Sequence, residues 1–156
     1  MNINSKEVGL VQKEVESDRP LYILLVEDEK QIASLIKAVL RDHEVTFFAN
    51  AEQALEYIRK SYKSGTPFDW VITDKGLAGQ MDGFGFAEGL QKEHLRRPFV
   101  TLLTGSAVKV KQNNSADQLR QKGIHQVMGK PFNIAELTDS VRLAREFGKQ
   151  AKIPQV

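Results

Sequence analysis

The sequence contains no cysteine, which excludes disulfide bonds, thiolate metal sites and cysteine nucleophiles. It has no apolar run approaching the roughly 20 residues that a membrane-spanning helix needs. The first twenty residues mix charges of both signs and lack the apolar segment of a signal peptide. A cytoplasmic location without a membrane partner is therefore expected.

The chain also has little net charge, although its acidic and basic residues are unevenly distributed along the sequence. The formal net charge is +2, with 10 Lys/Arg against 15 Asp/Glu in residues 1–89 and 12 against 5 in residues 90–156. A basic half can attract an acidic protein or a nucleic acid. A solvated surface explains the same counts, and nucleic acid is not an expected partner.

At 156 residues and 41% hydrophobic composition, the chain has material for one compact domain. We expect a flexible N-terminal extension at 1–19, the domain at 20–148 and a C-terminal tail at 149–156. Too few residues follow Phe147 for an effector domain, so output is expected through protein contacts.

Short apolar runs alternate with helical periodicity along the chain. The predicted strands are LYILLV, EVTFFA, FDWVIT, PFVTLLT and IHQVM, each followed by a helix. In the fourth connection, the polar stretch VKVKQNNS is expected to lead into a short helix near 115–122. This alternation predicts an α/β fold with a doubly wound, five-stranded parallel sheet. All strands of such a sheet end at one edge, where ligands bind.

The stretch LYILLVEDEK, residues 21–30, ends a buried strand on three acids, although like charges repel. Acids stabilise the first turn of a helix by roughly 0.3–1 kcal/mol, which can explain Glu29 and Asp28 but explains Glu27 poorly. The alternative is a bound divalent cation. These ten residues alone leave both interpretations open.

The other strand ends favour a cation site. Asp74, Thr104 and Lys130 each follow an apolar strand, and each alone has an ordinary explanation as a turn, cap or loop residue. Together they suit phosphoryl transfer, with Asp74 as the nucleophile that forms an acyl phosphate. Mg²⁺ bound by Asp28 and Asp74 would neutralise developing charge. Lys130 would supply a positive charge and Thr104 a hydroxyl donor.

These motifs resemble the receiver domains of two-component response regulators over about residues 21–147. ILLVEDE is similar to the acidic-pair strand of that family, FDWVITD to its phosphoacceptor strand, VTLLTGSA to its threonine strand and GKPF to its lysine-proline signature. The resemblance implies a flavodoxin-like fold with strand order 2-1-3-4-5. It also implies phosphorylation by a sensor histidine kinase or a histidine phosphotransfer protein, and a downstream protein target.

By the same resemblance, Glu27 and Asp28 are the acidic pair, and the Gly76 carbonyl is a further Mg²⁺ ligand beside Asp74. Lys130-Pro131 is a candidate cis peptide bond. Thr104 is a switch residue, and the family often has a switching Tyr or Phe where this chain has Val127. The chain is not expected to be an enzyme beyond catalysing its own phosphotransfer and dephosphorylation.

The sequence departs from the family pattern in two connections. Leu77-Ala78 replaces the usual hydrophobic-proline pair, and Asp82-Gly83 follows one residue late. The segment from Thr104 to Gly123 is about four residues longer than in a typical receiver, and the 106–114 part is expected to be a loop. Together with Val127, these departures favour a second hypothesis, a phosphorylation-independent scaffold or adaptor.

Two further hypotheses fit less well. Phosphohydrolases of the dehalogenase type, which resemble this fold, carry an Asp-x-Asp nucleophile motif at the first strand, where this chain has Glu27-Asp28-Glu29. A nucleotide-binding flavodoxin-like module would have a glycine-rich phosphate loop at the same place.

Overall fold

The computed structural model describes residues 19–63, 68–77, 79–93 and 97–151. The strands are β1 (Tyr22–Val26), β2 (Glu44–Phe48), β3 (Trp70–Asp74), β4 (Phe99–Thr104) and β5 (Gln126–Gly129). The helices are α1 (Lys30–Val39), α2 (Ala51–Lys63), α3 (Gly83–Lys92), α4 (Ala107–Asn113), α5 (Ala116–Gln121) and α6 (Ile134–Ala151).

The strands form one parallel sheet in the order β2-β1-β3-β4-β5. Every residue of β3 and β4 is buried, and β1 is buried after Tyr22, because these strands carry helices on both faces. The edge strand β2 is only partly buried. The predicted fold class and strand order are confirmed.

Alternate residues of the central strands pack on opposite sides of the sheet. In β1, Ile23 and Leu25 join a core with residues of α1 and α6, whereas Leu24 and Val26 join a core with residues of α2 and α3. A smaller cluster completes the second side; its buried members are Ala87, Leu102, Val110, Leu119 and Ile124.

The fourth connection differs from its prediction. The segment expected to be a polar loop is largely α4, because Val110 is buried in the small cluster and holds the helix against the sheet. Ser115 then starts a separate helix, α5, through a capping box with Gln118. The loop prediction for 106–114 was therefore wrong, and the described residues form six helices rather than five.

Asparagine side chains cap two of the helices, and the predicted cis peptide bond after β5 is confirmed. The side chain of Asn50 caps α2 through the Gln53 amide, and that of Asn133 caps α6 through the Glu136 amide. The Lys130-Pro131 peptide bond is cis.

The predicted domain limits remain predictions. Helix α6 continues to Ala151, past the expected limit of the domain at residue 148. Residues 1–18 of the predicted extension and residues 152–156 of the predicted tail lie outside the described residues. Within the described ranges, no helix combines the length and the apolar character needed to cross a membrane.

Candidate functional site

The carboxyl ends of β1, β3, β4 and β5 place the predicted site residues at one edge of the sheet. Val26 of β1 is in register with Thr73 of β3, so the next residues, Glu27 and Asp74, are neighbours. At β4 and β5, the Lys130 amide donates to the Thr104 carbonyl at 2.8 Å. Strand register alone thus brings the acidic pair, Asp74, Thr104 and Lys130 together.

The Lys130 ammonium lies among three carboxylates. Its Nζ donates to Asp74 Oδ2 at 2.8 Å, and it lies 3.0 Å from Glu27 Oε2 and 3.5 Å from Glu29 Oε1. Burial acts to lower the pKa of Lys130, but the hydrogen bond to Asp74 and the charge of Glu27 outweigh it, so the pKa is raised. Lys130 is therefore cationic at neutral pH and offsets part of the negative charge.

The Glu27 carboxyl is fully buried. Its Oε1 accepts a hydrogen bond from the Glu29 amide at 3.1 Å, whereas its Oε2 has no hydrogen-bond partner in the described part of the chain. Burial raises the pKa of Glu27 to about 7. A buried carboxylate oxygen with an ion-pair partner but no hydrogen bond is costly. A second cation would lower that cost.

The acidic residues fit a hard divalent cation. Carboxylate oxygens of Glu27, Asp28, Glu29 and Asp74 lie within 4.8 Å of one another. Mg²⁺ prefers such oxygen ligands and uses few of them, keeping water or phosphate oxygens in the remaining positions. The described residues thus provide a donor set for Mg²⁺.

Glu29 was missed as a site residue because its position also suits a helix start. It does occupy the N-cap of α1, but its side chain makes no capping hydrogen bond. Its carboxylate instead faces Lys130. The available signal was the third consecutive acid after a buried strand.

The loop after β3 is fixed at both ends. The Gly76 amide donates to Asp74 Oδ1 at 3.2 Å, and the Gly83 amide donates to the Lys75 carbonyl at 2.9 Å. A Cβ at Gly83 would lie 2.4 Å from the Asp74 carbonyl oxygen, so α3 can approach the end of β3 only with glycine there. Asp82 caps α3 through the Gly85 amide. The Asp82-Gly83 pair therefore shapes the site, while the Gly76 carbonyl as a metal ligand stays a prediction.

The two predicted switch residues occupy different environments. Thr104 is buried at the site edge, where its Oγ1 accepts from the Ser106 amide at 3.1 Å and shares a hydrogen bond with Ser106 Oγ. Val127 is in register with Leu102 and packs against the small cluster under α3, α4 and α5. The structure thus places Thr104 at the site and Val127 beside a helix layer.

The sequence profile described as "Response regulator receiver domain" matches residues 23–142. The chain belongs to this family. Among solved structures, this receiver is similar to a response regulator from Chloroflexus aurantiacus, with a TM-score of 0.68 and 26% identity over 82% of this chain and 99% of that one. It is also similar to the receiver domain of a sensor histidine kinase from Pseudomonas aeruginosa, which has a magnesium ion in its active-site cleft. That match has a TM-score of 0.67 and 25% identity over the same shares.

Curated relatives include response regulators described as NtrX-like. The protein from Rickettsia felis is 30% identical over 132 residues, which cover 83% of this chain and 26% of the relative. The protein from Rickettsia bellii is 28% identical over 130 residues, 81% of this chain and 25% of the relative. The receiver thus spans about a quarter of the length of these relatives, and it is homologous to the receivers of both response regulators and sensor kinases.

Proposed function

We propose that this receiver is phosphorylated on Asp74 in the presence of Mg²⁺ and signals through protein contacts. The observation that carries the proposal is the convergence of the Asp74 carboxylate and the buried Glu27 carboxylate within 3.0 Å of the Lys130 ammonium. The donor would be a sensor histidine kinase or a histidine phosphotransfer protein, in the cytoplasm, and the output a downstream protein target.

In the proposed reaction, an Asp74 carboxylate oxygen attacks the phosphorus atom of the donor and forms an acyl phosphate. The bond from phosphorus to the donor nitrogen breaks, and its electron pair stays with the donor. Asp74 Oδ1 is oriented by the Gly76 amide, and Oδ2 is held by Lys130. Lys130 would transfer its contact to a phosphoryl oxygen as the carboxylate loses its charge.

The metal would be held by Asp28, Asp74 and the Gly76 carbonyl, with Glu27 and Glu29 adding negative charge nearby. When bound, Mg²⁺ supplies positive charge to the phosphoryl oxygens. We further propose that the Thr104 hydroxyl turns from Ser106 to the phosphoryl group, forming a charge-assisted hydrogen bond. Catalysis is confined to the chain's own phosphotransfer and dephosphorylation.

The test is intact-mass measurement after incubation with acetyl phosphate and Mg²⁺. We expect wild type to gain one phosphoryl group and Asp74→Asn to gain none. Asp82→Asn is the matched control, because Asp82 is exposed on the adjoining loop and asparagine retains its capping ability. Equal labelling of Asp74→Asn and wild type would refute the assignment.

A divergent receiver that acts as a phosphorylation-independent adaptor is the second candidate. The engagement of Thr104 with Ser106 and the packing of Val127 against the small cluster favour it. Hydrogen exchange with and without beryllofluoride, which mimics the acyl phosphate, separates the two. Altered protection of α4 or β5 supports a switch, whereas bound beryllofluoride without any change beyond the site supports the adaptor.

A further inference from the structure

The loop between β3 and α3 contains no proline, yet it is anchored shortly before α3 begins. Glu52, in the first turn of α2, accepts hydrogen bonds at Oε1 from the Gln80 amide at 3.1 Å and from the Met81 amide at 3.0 Å. Two successive backbone amides therefore converge on one carboxylate oxygen from another element. Such charge-assisted bonds are stronger than neutral ones.

The conformation of the loop is adapted to that carboxylate. Gly79 has a φ of 104°, which L residues rarely adopt. A Cβ at Gly79 would also lie 3.2 Å from Glu52 Oε1 and 3.3 Å from Oε2, closer than most contacts of this kind. Glycine is thus favoured at this position both by the backbone and by the approach of Glu52.

The anchored segment is continuous with the phosphoacceptor site. Leu77 is buried and, with Met81, packs against the core cluster that contains Ala51 and Leu55 of α2. One residue before Leu77, the Gly76 amide holds Asp74 Oδ1. Because the loop lacks proline and contains glycines, its unrestrained ensemble would be broad, and ordering it costs conformational entropy. The two bonds to Glu52 offset that cost before any ligand binds.

We propose that Glu52 is a positioning residue that pre-orders the β3–α3 loop, so that Gly76 is held beside Asp74 for Mg²⁺ binding. This inference rests on the proposed metal-dependent function. Glu52 touches neither the cation nor the phosphoryl group and acts through the loop. Its loss is therefore expected to weaken Mg²⁺ binding without removing any metal ligand.

The test measures Mg²⁺ affinity by calorimetry and exchange of the Gln80 and Met81 amides by NMR. Glu52→Ala should weaken Mg²⁺ binding about tenfold and speed exchange of both amides. Glu52→Gln, which retains an uncharged acceptor, should weaken binding only about threefold. Glu56→Ala is the matched control, since Glu56 lies one turn later on α2, is exposed and pairs with Lys60; it should bind Mg²⁺ like wild type.

A double-mutant cycle separates positioning from general loss of charge. Gly79→Ala should weaken Mg²⁺ binding by itself, because it introduces strain and crowds the Glu52 carboxylate. In the Glu52→Ala background, where the loop is already released, the same change should have little further effect. Additive effects would overturn the proposal.

Unchanged Mg²⁺ affinity in Glu52→Ala would also overturn it, even if the amides exchange faster, because the contact would then be merely structural. Neither result depends on labelling of Asp74. If wild type binds Mg²⁺ but takes up no phosphoryl group, the proposed function fails while the role of Glu52 can still stand. If wild type binds no Mg²⁺, the role of Glu52 is refuted as well.

Discussion

At the amino ends of the strands, side chains accept hydrogen bonds from backbone amides. His43 Nδ1 accepts from the Leu21 amide at 3.1 Å, and Asp69 Oδ2 accepts from the Tyr22 amide at 2.9 Å. His125 Nδ1 accepts from the Val100 amide at 3.0 Å. At the carboxyl ends, by contrast, carboxylates crowd around one lysine.

The same contrast holds for buried polar groups. Near the amino end, Trp70 Nε1 donates to Thr101 Oγ1 at 2.9 Å, Thr101 donates to Gln126 Oε1 at 2.7 Å, and Gln126 Nε2 donates to Ser140 Oγ at 3.0 Å. This chain of bonds links β3, β4, β5 and α6. At the carboxyl end, Glu27 Oε2 is buried beside the Lys130 ammonium at 3.0 Å but has no hydrogen-bond partner among the described residues.

The difference separates polar groups that are hydrogen-bonded within the fold from charged groups that the proposed Mg²⁺ would neutralise. A buried polar group that is hydrogen-bonded within the chain contributes to stability, and its removal orphans its partners. A buried charge without full compensation is costly to the free protein, and it recovers that cost when a cation binds. Substitutions at the two ends should therefore respond differently to Mg²⁺ and to pH.

The largest change in stability is expected from removing the Lys130 ammonium at the carboxyl ends of the strands. Lys130→Met leaves the buried Glu27 and Asp74 without their ion-pair partner, which should lower the free energy of unfolding by about 3 kcal/mol at pH 8 without metal. At pH 5, below the pKa of about 7 for Glu27, that carboxyl is protonated in the folded state and the loss should be smaller. Urea unfolding at both pH values measures this.

Mg²⁺ should restore part of the stability of Lys130→Met at pH 8, because a divalent cation takes over the neutralisation. Lys75→Met is the matched control, since Lys75 also follows a site strand but makes none of the ion pairs found among the described residues. It should change stability by less than about 0.5 kcal/mol. An equal loss at pH 5 and pH 8 would contradict a charge-based role for Lys130.

A smaller, metal-independent effect is expected from the hydrogen-bond chain. Thr101→Val retains the shape of the side chain but leaves Trp70 Nε1 without an acceptor and Gln126 Oε1 without a donor. Unfolding free energy should fall by about 2 kcal/mol, equally with and without Mg²⁺. Thr46→Val on the half-buried edge strand β2 is the control and should have little effect. If Mg²⁺ restored the stability lost in Thr101→Val, the two ends of the sheet would not differ in their response to the metal.

How much of the fold and the site could be predicted from the sequence depends on how far apart in the chain the interacting residues lie. The strands and the convergence of Asp74, Thr104 and Lys130 follow from local apolar runs and from the geometry of parallel sheets. Helix α4 was missed because one buried residue, Val110, stabilises a segment whose local composition is polar. The contact of Glu52 with the Gln80 and Met81 amides joins positions 28 and 29 residues apart, and no local pattern marks it.

The smallest expected effect concerns titration, which should have opposite signs at the two ends. Burial, with the charges of Arg97 and Arg120, lowers the pKa of His125 to about 4. The unfolded chain therefore takes up this proton first, and the contribution of His125 to stability is present above pH 6.5 and lost as pH falls towards 4. Glu27 acts in the opposite sense, since its contribution is present below pH 4.5 and lost as pH rises towards 7.

Comparison of wild type with His125→Asn isolates the histidine, because both proteins share the titration of Glu27. Asparagine retains an acceptor near the position of Nδ1 for the Val100 amide but does not titrate. The difference in unfolding free energy between the two proteins should shift by about 1 kcal/mol in favour of His125→Asn between pH 6.5 and pH 4, allowing for partial exposure of the ring. Parallel stability curves over this range would show that His125 tolerates protonation. In that case the stability of the amino end would not depend on a neutral His125 ring. The contrast between the two ends would then rest only on Lys130 and the carboxylates around it.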